Sequence, residues 1–430
     1  MDIFSDLVKR ELVAQTTDED ALRKALSEES LKFYVGFDPT APSLHMGNLV
    51  QILIARRLQA AGHTPFMLVG GATGLIGDPR MTSERSLNPR DVVEGWVEKI
   101  RSQIQPFLDF EGPNAATMVN NYDWTGDISV LDFLRDVGKH FSVNRMLAKE
   151  AVSARLNSDA GISFTEFAYQ LLQGNDYLEL YRRYGITLQT GGSDQWGNLT
   201  SGADLIRRVE RTSVHAMSIK LITKADGTKF GKTETGTVWL DPTLTSPYAF
   251  SQFWLNTADA DAPGYLKVFS LRELDEINDI IEQFKEAPHT RLVQKTLARD
   301  VTELVHGKEA TDQAFAAADA LFGRGELTEL DETTIAVATS ALPGTDIDSA
   351  ALAAGINVVD LFVDAFAQTG QLKSKGEVRK AIQQGGAYIN NVKVESEDHV
   401  MTADQFLPAG DHAVTLLRRG KKTLAVACLR

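Results

Sequence analysis

Two apolar runs separated by a helical pattern restrict this chain to a small set of folds. Residues 33–37 (Phe-Tyr-Val-Gly-Phe) and 65–69 (Pro-Phe-Met-Leu-Val) are each long enough for one short buried strand. Between them, residues 47–60 carry helical spacing, and Gly62 ends it. A strand–helix–strand unit with continuously apolar strands belongs in a parallel sheet covered on both faces. Asp38-Pro39 and Pro42 interrupt the chain after the first run, so the order is strand, irregular loop, helix start. A helix start presents unpaired backbone N–H groups and the positive end of the helix dipole, which suits a phosphate. His45, Gly47 and Asn48 occupy that start. Gly47 leaves room for a flat ligand at the backbone, and Thr40 and His45 offer donors to a phosphate.

The rest of the chain continues the alternation and then leaves it. Residues 2–30 read as helical. Residues 90–185 are mainly helical with one strand-like run at 117–119, and strand-like runs return at 186–189 and 219–222. Residues 1–224 are therefore expected to form one α/β Rossmann-like parallel-sheet catalytic domain with a mainly helical insertion at about 90–185. A mobile loop is expected at 225–246. An all-helical domain over 247–324, a linker over 325–354 and a small α+β domain over 355–430 complete the expected order. At 430 residues, several domains are expected. The net charge of −14 argues against a generally basic, nonspecific nucleic-acid coat. The last unit differs: residues 356–430 hold ten Lys and Arg against eight Asp and Glu, which leaves −16 for the remainder. The single cysteine, Cys428, excludes a disulfide framework within one chain. The start of the chain lacks the pattern of a signal peptide, and no apolar run approaches membrane-spanning length, so a cytoplasmic protein without membrane association is expected.

Four further groups of residues carry chemistry. Lys229-Phe230-Gly231-Lys232-Thr233 ends like a P-loop, but that spacing needs Gly where the chain has Asp226, and no strong helix follows. A solvated Gly/Lys turn is the plain alternative. Tyr169, Gln173 and Asp176 recur at i, i+4 and i+7 and share one helix face, either solvated or turned to a ligand. Apolar neighbours and Gly174 suggest a packed helix. Gly192, Asp194 and Gln195 follow a strand end, where open α/β sheets place ligands. A turn built from Gly-Gly-Ser-Asp is the alternative there. In the last unit Lys373, Lys375, Arg379 and Lys380 form one basic cluster and Arg418, Arg419, Lys421 and Lys422 a second, either a solvated face or a surface for RNA phosphates.

Taken together, GFDPTAPSLHMGNL at 36–49 and KFGKT at 229–233 resemble the two signatures of class I aminoacyl-tRNA synthetases, in the form of the bacterial-type tyrosyl family. That family usually has His where this chain has Asn48, which still offers an amide donor. The segment FAYQLLQGNDY at 167–177 resembles the family's substrate helix, and SKGEVRKAIQQGGAYINN at 374–391 resembles an S4-type RNA-binding module. The resemblance covers nearly the whole chain. It implies activation of L-tyrosine with ATP, then transfer of the tyrosyl group to the 3′ end of tRNA(Tyr). It implies Thr40, His45, Lys229, Lys232 and Thr233 as catalytic residues. Tyr169, Gln173 and Asp78 would hold the tyrosine ammonium, Tyr34 and Asp176 its hydroxyl, and Gln195 would lie near its carboxylate. Gly36, Asp38, Gly47, Asn48, Gly192, Asp194 and Lys232 would contact ATP. Arg80 and Arg85 lie in a loop that the family associates with phosphates. Mg²⁺ is expected with ATP, without a dedicated protein site, and a homodimer is expected. The alternatives are the tryptophanyl sister enzyme and a noncatalytic RNA-binding protein on the same scaffold.

Overall fold

The computed structural model describes residues 2–79, 87–159, 161–225, 227, 230–233, 236–321, 325, 327–340, 342–367, 372, 374–420 and 423–430. The described chain divides into two compact units, Met1–Leu244 with Ala258–Val293, and Thr245–Thr257 with Gln294–Arg430. The helical stretch expected over 247–324 is thus shared between them. No helix among the described residues is long and apolar enough to cross a membrane.

In the first unit, β1 (Val13–Thr16), β2 (Lys32–Phe37), β3 (Thr64–Val69), β4 (Thr117–Asn120), β5 (Leu188–Gly192) and β6 (His215–Ile219) form one sheet in the order β1-β6-β5-β2-β3-β4. The strands from β6 to β4 are parallel, and β1 runs antiparallel along the edge. The chain leaves β2 in one direction to β3 and β4, then returns to add β5 and β6 on the other side. The carboxyl ends of β2 and β5 therefore flank the topological switch point. β2 carries Phe33, Tyr34, Val35 and Phe37 buried, as continuous apolar strands in a covered sheet require. Tyr34, Phe66 and Leu68 share one apolar cluster with Tyr177 and Leu178 of the Phe164–Tyr184 helix and Leu205 and Ile206 of the Trp196–Val209 helix.

Two local expectations are corrected. Residues 2–30 form helices Ile3–Lys9 and Glu19–Glu28 with β1 between them. Glu11 takes a left-handed conformation (φ 61°), which ends the first helix and sends Val13 into register with Ile219. The last parallel strand covers His215–Ile219 instead of 219–222, because Ala216, Met217 and Ile219 are buried whereas Leu221 is 52 % exposed. A short hairpin, β7 (Lys232–Thr233) with β8 (Gly236–Thr237), follows in the 225–246 loop.

The second unit contains helices Pro247–Leu255, Leu292–Leu321 from residue 294 onward, Glu332–Ser340, Ser349–Ala354, Val358–Phe366 and Lys375–Gln383. Its sheet joins β9 (Gly344–Ile347), β10 (Ala387–Ile389), β11 (Val392–Lys393), β12 (Leu407–Ala409), β13 (His412–Arg419) and β14 (Thr423–Leu429). The span expected as a linker, 325–354, thus contains two helices and a strand. β9 runs parallel to β14, with Gly344 opposite Val426. Pro343-Gly344 reads as a chain breaker, yet the glycine is what admits the strand. A Cβ at Gly344 would lie 2.3 Å from the Val426 carbonyl oxygen. Gly344→Ala is accordingly expected to destabilise this unit by about 1–3 kcal/mol. Thermal unfolding of the full chain followed by circular dichroism checks it, and an unchanged transition would contradict the close approach.

Candidate active site

The loop after β2 and the start of the Met46–Ala60 helix form the floor of the site. His45 is the helix N-cap, and the Gly47 N–H donates to its Nδ1 at 3.1 Å. The His45 N–H in turn donates to Asn48 Oδ1 at 3.0 Å. This corrects the expectation of an open helix start, since side chains already satisfy these two backbone donors. The arrangement has a chemical consequence. With Nδ1 accepting, the neutral imidazole carries its proton on Nε2, so His45 presents a donor from that nitrogen. Asn48 spends its carbonyl oxygen on the cap. Thr40 and Gly36 are exposed along the same loop and strand.

The second signature lies against the first. His45 and Trp239 form an isolated antiparallel bridge, and the Leu240 N–H donates to the Leu44 carbonyl at 2.9 Å. Gly231 has φ 75°, and a Cβ there would approach Met46 Cβ to 3.2 Å, so a glycine suits both the turn and the contact. The Val238 N–H donates to the Gly231 carbonyl at 3.0 Å. Lys229 lies outside the described residues, as do the side chains of Lys232 and Thr233. Arg80, Arg85, Lys373, Lys421 and Lys422 lie outside them too.

Tyr169 and Asp176 of the Phe164–Tyr184 helix belong to one hydrogen-bonded network. The Tyr169 hydroxyl donates to Asp38 Oδ2 and the Thr73 hydroxyl to Asp38 Oδ1, both at 2.6 Å. Asn121 Nδ2 donates to Thr73 Oγ1 at 2.9 Å and to Asp176 Oδ2 at 3.0 Å. Trp124 Nε1 donates to Asp176 Oδ1 at 2.8 Å. Burial pushes the Asp176 carboxyl up to about 7, although both donors favour its charged form. Close by, the Tyr34 hydroxyl is buried without a hydrogen-bond partner among the described residues. Burial, and then the charge of Asp176, raise its phenol well above the ordinary tyrosine value. Gln173 Oε1 is also buried without a partner. A lone buried hydroxyl beside a carboxylate is costly unless a ligand completes the set.

A second polar group gathers around Asp78. Gln195 Nε2 donates to Asp78 Oδ2 at 2.8 Å, and Asn198 Nδ2 donates to Asp78 Oδ1 at 3.2 Å. Asn198 Nδ2 also reaches Gln195 Oε1 at 2.8 Å, and Lys149 Nζ donates to Asn198 Oδ1 at 2.8 Å. Gly192 and Asp194 make the bend after β5. A Cβ at Gly192 would lie 2.4 Å from Asp194 Oδ1. Thr73, Asn121, Trp124, Asn198 and Lys149 were not anticipated from the sequence. Asn121 has the one readable signal, a polar residue directly after the end of a parallel strand.

In the second unit, Lys375, Arg379 and Lys380 lie exposed on the Lys375–Gln383 helix, and Arg419 is exposed at the end of β13. Gly386 connects the two clusters: its N–H donates to the Ala381 carbonyl and its carbonyl accepts from the Gly420 N–H at 2.8 Å each. Arg418 points elsewhere. It is 8 % exposed, stacks 4.0 Å over the Tyr388 ring and donates to the Gly420 carbonyl.

Comparison with known proteins agrees with this geometry. Residues 26–323 match the model of the class I tRNA synthetases (W and Y), and residues 336–427 match the tyrosine–tRNA ligase SYY-like C-terminal domain. A tyrosine–tRNA ligase of Streptomyces avermitilis is 60 % identical over 426 residues, covering 99 % of this chain and 98 % of that one. One of Streptomyces coelicolor is 57 % identical with the same coverage. The solved C-terminally truncated mitochondrial tyrosyl-tRNA synthetase of Aspergillus nidulans superposes with a TM-score of 0.68 at 27 % identity, covering 75 % of this chain and 94 % of that one. By both of its matched segments and by full-length identity, the chain belongs to the tyrosine–tRNA ligase family of class I tRNA synthetases.

Proposed function

We propose that this chain activates L-tyrosine with ATP and then transfers the tyrosyl group to the 3′ end of tRNA(Tyr). The observation that carries the choice of amino acid is the buried, unpartnered Tyr34 hydroxyl beside Asp176. A phenolic hydroxyl placed there donates to Asp176 and accepts from Tyr34. The ring of phenylalanine leaves the Tyr34 hydroxyl unsatisfied and offers Asp176 no donor. An indole has no hydroxyl to accept from Tyr34, which disfavours the tryptophanyl reading.

In the first step a tyrosine carboxylate oxygen attacks the α-phosphorus of ATP, the bond to the bridging oxygen breaks, and pyrophosphate leaves. The carboxylate is already ionised near neutral pH, so alignment and charge stabilisation are the tasks. Asp78 holds the substrate ammonium, with Tyr169 and Gln173, and Gln195 lies near the carboxylate. The Nε2 donor of His45 and the hydroxyl of Thr40 face the phosphates. Gly36, Gly47, Asp38, Gly192 and Asp194 surround the nucleotide, and Asn48 acts there through the cap it gives His45. Lys229, Lys232 and Thr233 close from the second signature. Mg²⁺ arriving with ATP would supply neutralisation of phosphate charge, with no protein residue assigned to hold it. In the second step a ribose hydroxyl of the terminal adenosine attacks the acyl carbon and AMP leaves.

The same reading assigns Lys375, Arg379, Lys380 and Arg419, with Lys373, Lys421 and Lys422, to tRNA phosphates. Arg418 supports that surface through Tyr388. It also gives the chain a second copy as partner and a cytoplasmic location. Val130, Leu131, Val143, Leu156 and Phe164 of the insertion are 48–79 % exposed, an apolar surface suited to a homodimer contact.

Two outcomes check the substrate site. Tyr34→Phe is expected to narrow the ratio of kcat/KM for tyrosine over phenylalanine by about three- to tenfold, the value of one neutral hydrogen bond. An unchanged ratio would remove Tyr34 from the hydroxyl end. The second concerns pH. The raised value of Asp176 means that the free site takes up a proton as pH falls through about 7. Tyrosine competes with that proton, so KM for tyrosine rises toward pH 6, by at most about tenfold per pH unit. Asp176→Asn is expected to flatten this dependence, and a KM that rises identically in both proteins would contradict it.

A further inference from the structure

Asn198 has one oxygen and one NH₂ group, and its hydrogen bonds require a particular orientation. Its NH₂ faces both Asp78 Oδ1 and Gln195 Oε1, and its oxygen faces Lys149 Nζ. Gln195 is constrained in turn: its oxygen receives the Asn198 N–H, so its NH₂ faces Asp78 Oδ2. Reversing Asn198 would point its oxygen at a carboxylate. An ammonium has donors only, so Lys149 accepts nothing from a reversed amide. We propose that Lys149 is a positioning residue for the amino-acid site, fixing Asn198 and through it Gln195 so that both amides donate to Asp78. The proposal rests on the reading that Asp78 receives the substrate ammonium.

The surroundings of Lys149 fit this task. The residue precedes the Glu150–Leu156 helix, and its stem lies along the start of the Trp196–Val209 helix. A Cβ at Gly197 would stand 3.2 Å from Lys149 Cε, so the glycine clears the path to Asn198. The charged groups around it are Asp78 toward the site and Arg145, Asp204, Arg208 and His140 along the adjoining cleft. Arg145 pairs with Asp204 at 2.9 Å, and Arg208 donates to the His140 carbonyl at 2.7 Å. Burial lowers the Lys149 ammonium to about 8, and Asp78 partly offsets that shift. The ammonium is therefore complete below that value and lost as pH rises through it. A neutral amine accepts hydrogen bonds, so it no longer forbids the reversed amide.

The test uses the full-length chain and two inhibitors, tyramine, which has the ammonium but no carboxylate, and 3-(4-hydroxyphenyl)propanoate, which has the reverse. Lys149→Met is expected to raise KM for tyrosine and the inhibition constant of tyramine by about tenfold, while kcat of pyrophosphate exchange changes by less than about threefold. The propanoate is expected to weaken less than tyramine, and Lys149→Arg to recover most of the loss. Between about pH 7 and 9 the tyramine constant of the unsubstituted chain climbs toward that of Lys149→Met, whose own value changes only with the ligand ammonium and, near pH 7, with Asp176. An unchanged tyramine constant in Lys149→Met, equal weakening of both inhibitors, or no advantage of Arg over Met overturns the assignment. If Lys149→Met does not fold, the pH series of the unsubstituted chain decides, and a flat tyramine constant overturns the proposal. Absence of tyrosine-dependent exchange in the unsubstituted chain counts against the proposed function instead. Calorimetry with tyramine then decides the role of Lys149 independently.

Discussion

Burying the Asp176 carboxyl sets the form of the amino-acid site. At 1 % exposure, an unpaired carboxylate is expensive, so its neighbours must donate. Asn121 and Trp124, just past β4, do so. Asn121 has a second donor to spare and uses it on Thr73, which donates onward to Asp38, where Tyr169 also arrives. Four segments distant in sequence are tied by these bonds: the loop after β2, the loop after β3, the end of β4 and the Phe164–Tyr184 helix. Gly70 makes the crowding visible, since a Cβ there would fall 2.2 Å from both Asp38 Oδ1 and Thr73 Oγ1. The network leaves the Tyr34 hydroxyl buried without a hydrogen-bond partner among the described residues.

The sheet makes this convergence possible. Because strand order reverses between β2 and β5, the loops after those strands diverge and leave a crevice at their carboxyl ends. Tyr34 on β2, Gly192 and Asp194 at the end of β5, and His45 beyond the β2 loop all come from its margins. The second signature is held there by backbone pairing at His45 and Trp239 and by the close approach of Gly231 to Met46. Parallel pairing of β9 with β14 likewise incorporates residues 344–347 into the second unit's sheet.

The parallel sheet was legible because β2 and β3 are continuously apolar, and the Met46–Ala60 helix because its spacing is regular. β1 was not, since Val13–Thr16 is a partly exposed edge strand with no apolar run to mark it. Its identity comes from pairing with β6, a contact some two hundred residues away. Tyr169 and Asp176, which share a helix face by their spacing, enter one network. Residues that support them were not legible. Trp124 and Lys149 act through partners that only the folded chain brings near, and no local spacing announces them. The capping of His45 shows the same limit. A helix start is legible in the sequence, whereas its closure by the His45 and Asn48 side chains arises only in the folded chain.

The central claim is that Tyr34 and Asp176 select a phenolic hydroxyl for activation. The most direct test is amino-acid-dependent exchange of pyrophosphate into ATP, with the purified chain, Mg²⁺, no tRNA, and each of the standard amino acids assayed separately. Exchange with tyrosine alone is the predicted result. Exchange supported by tryptophan in its place, or by phenylalanine as well as by tyrosine, would contradict the account of Tyr34 and Asp176.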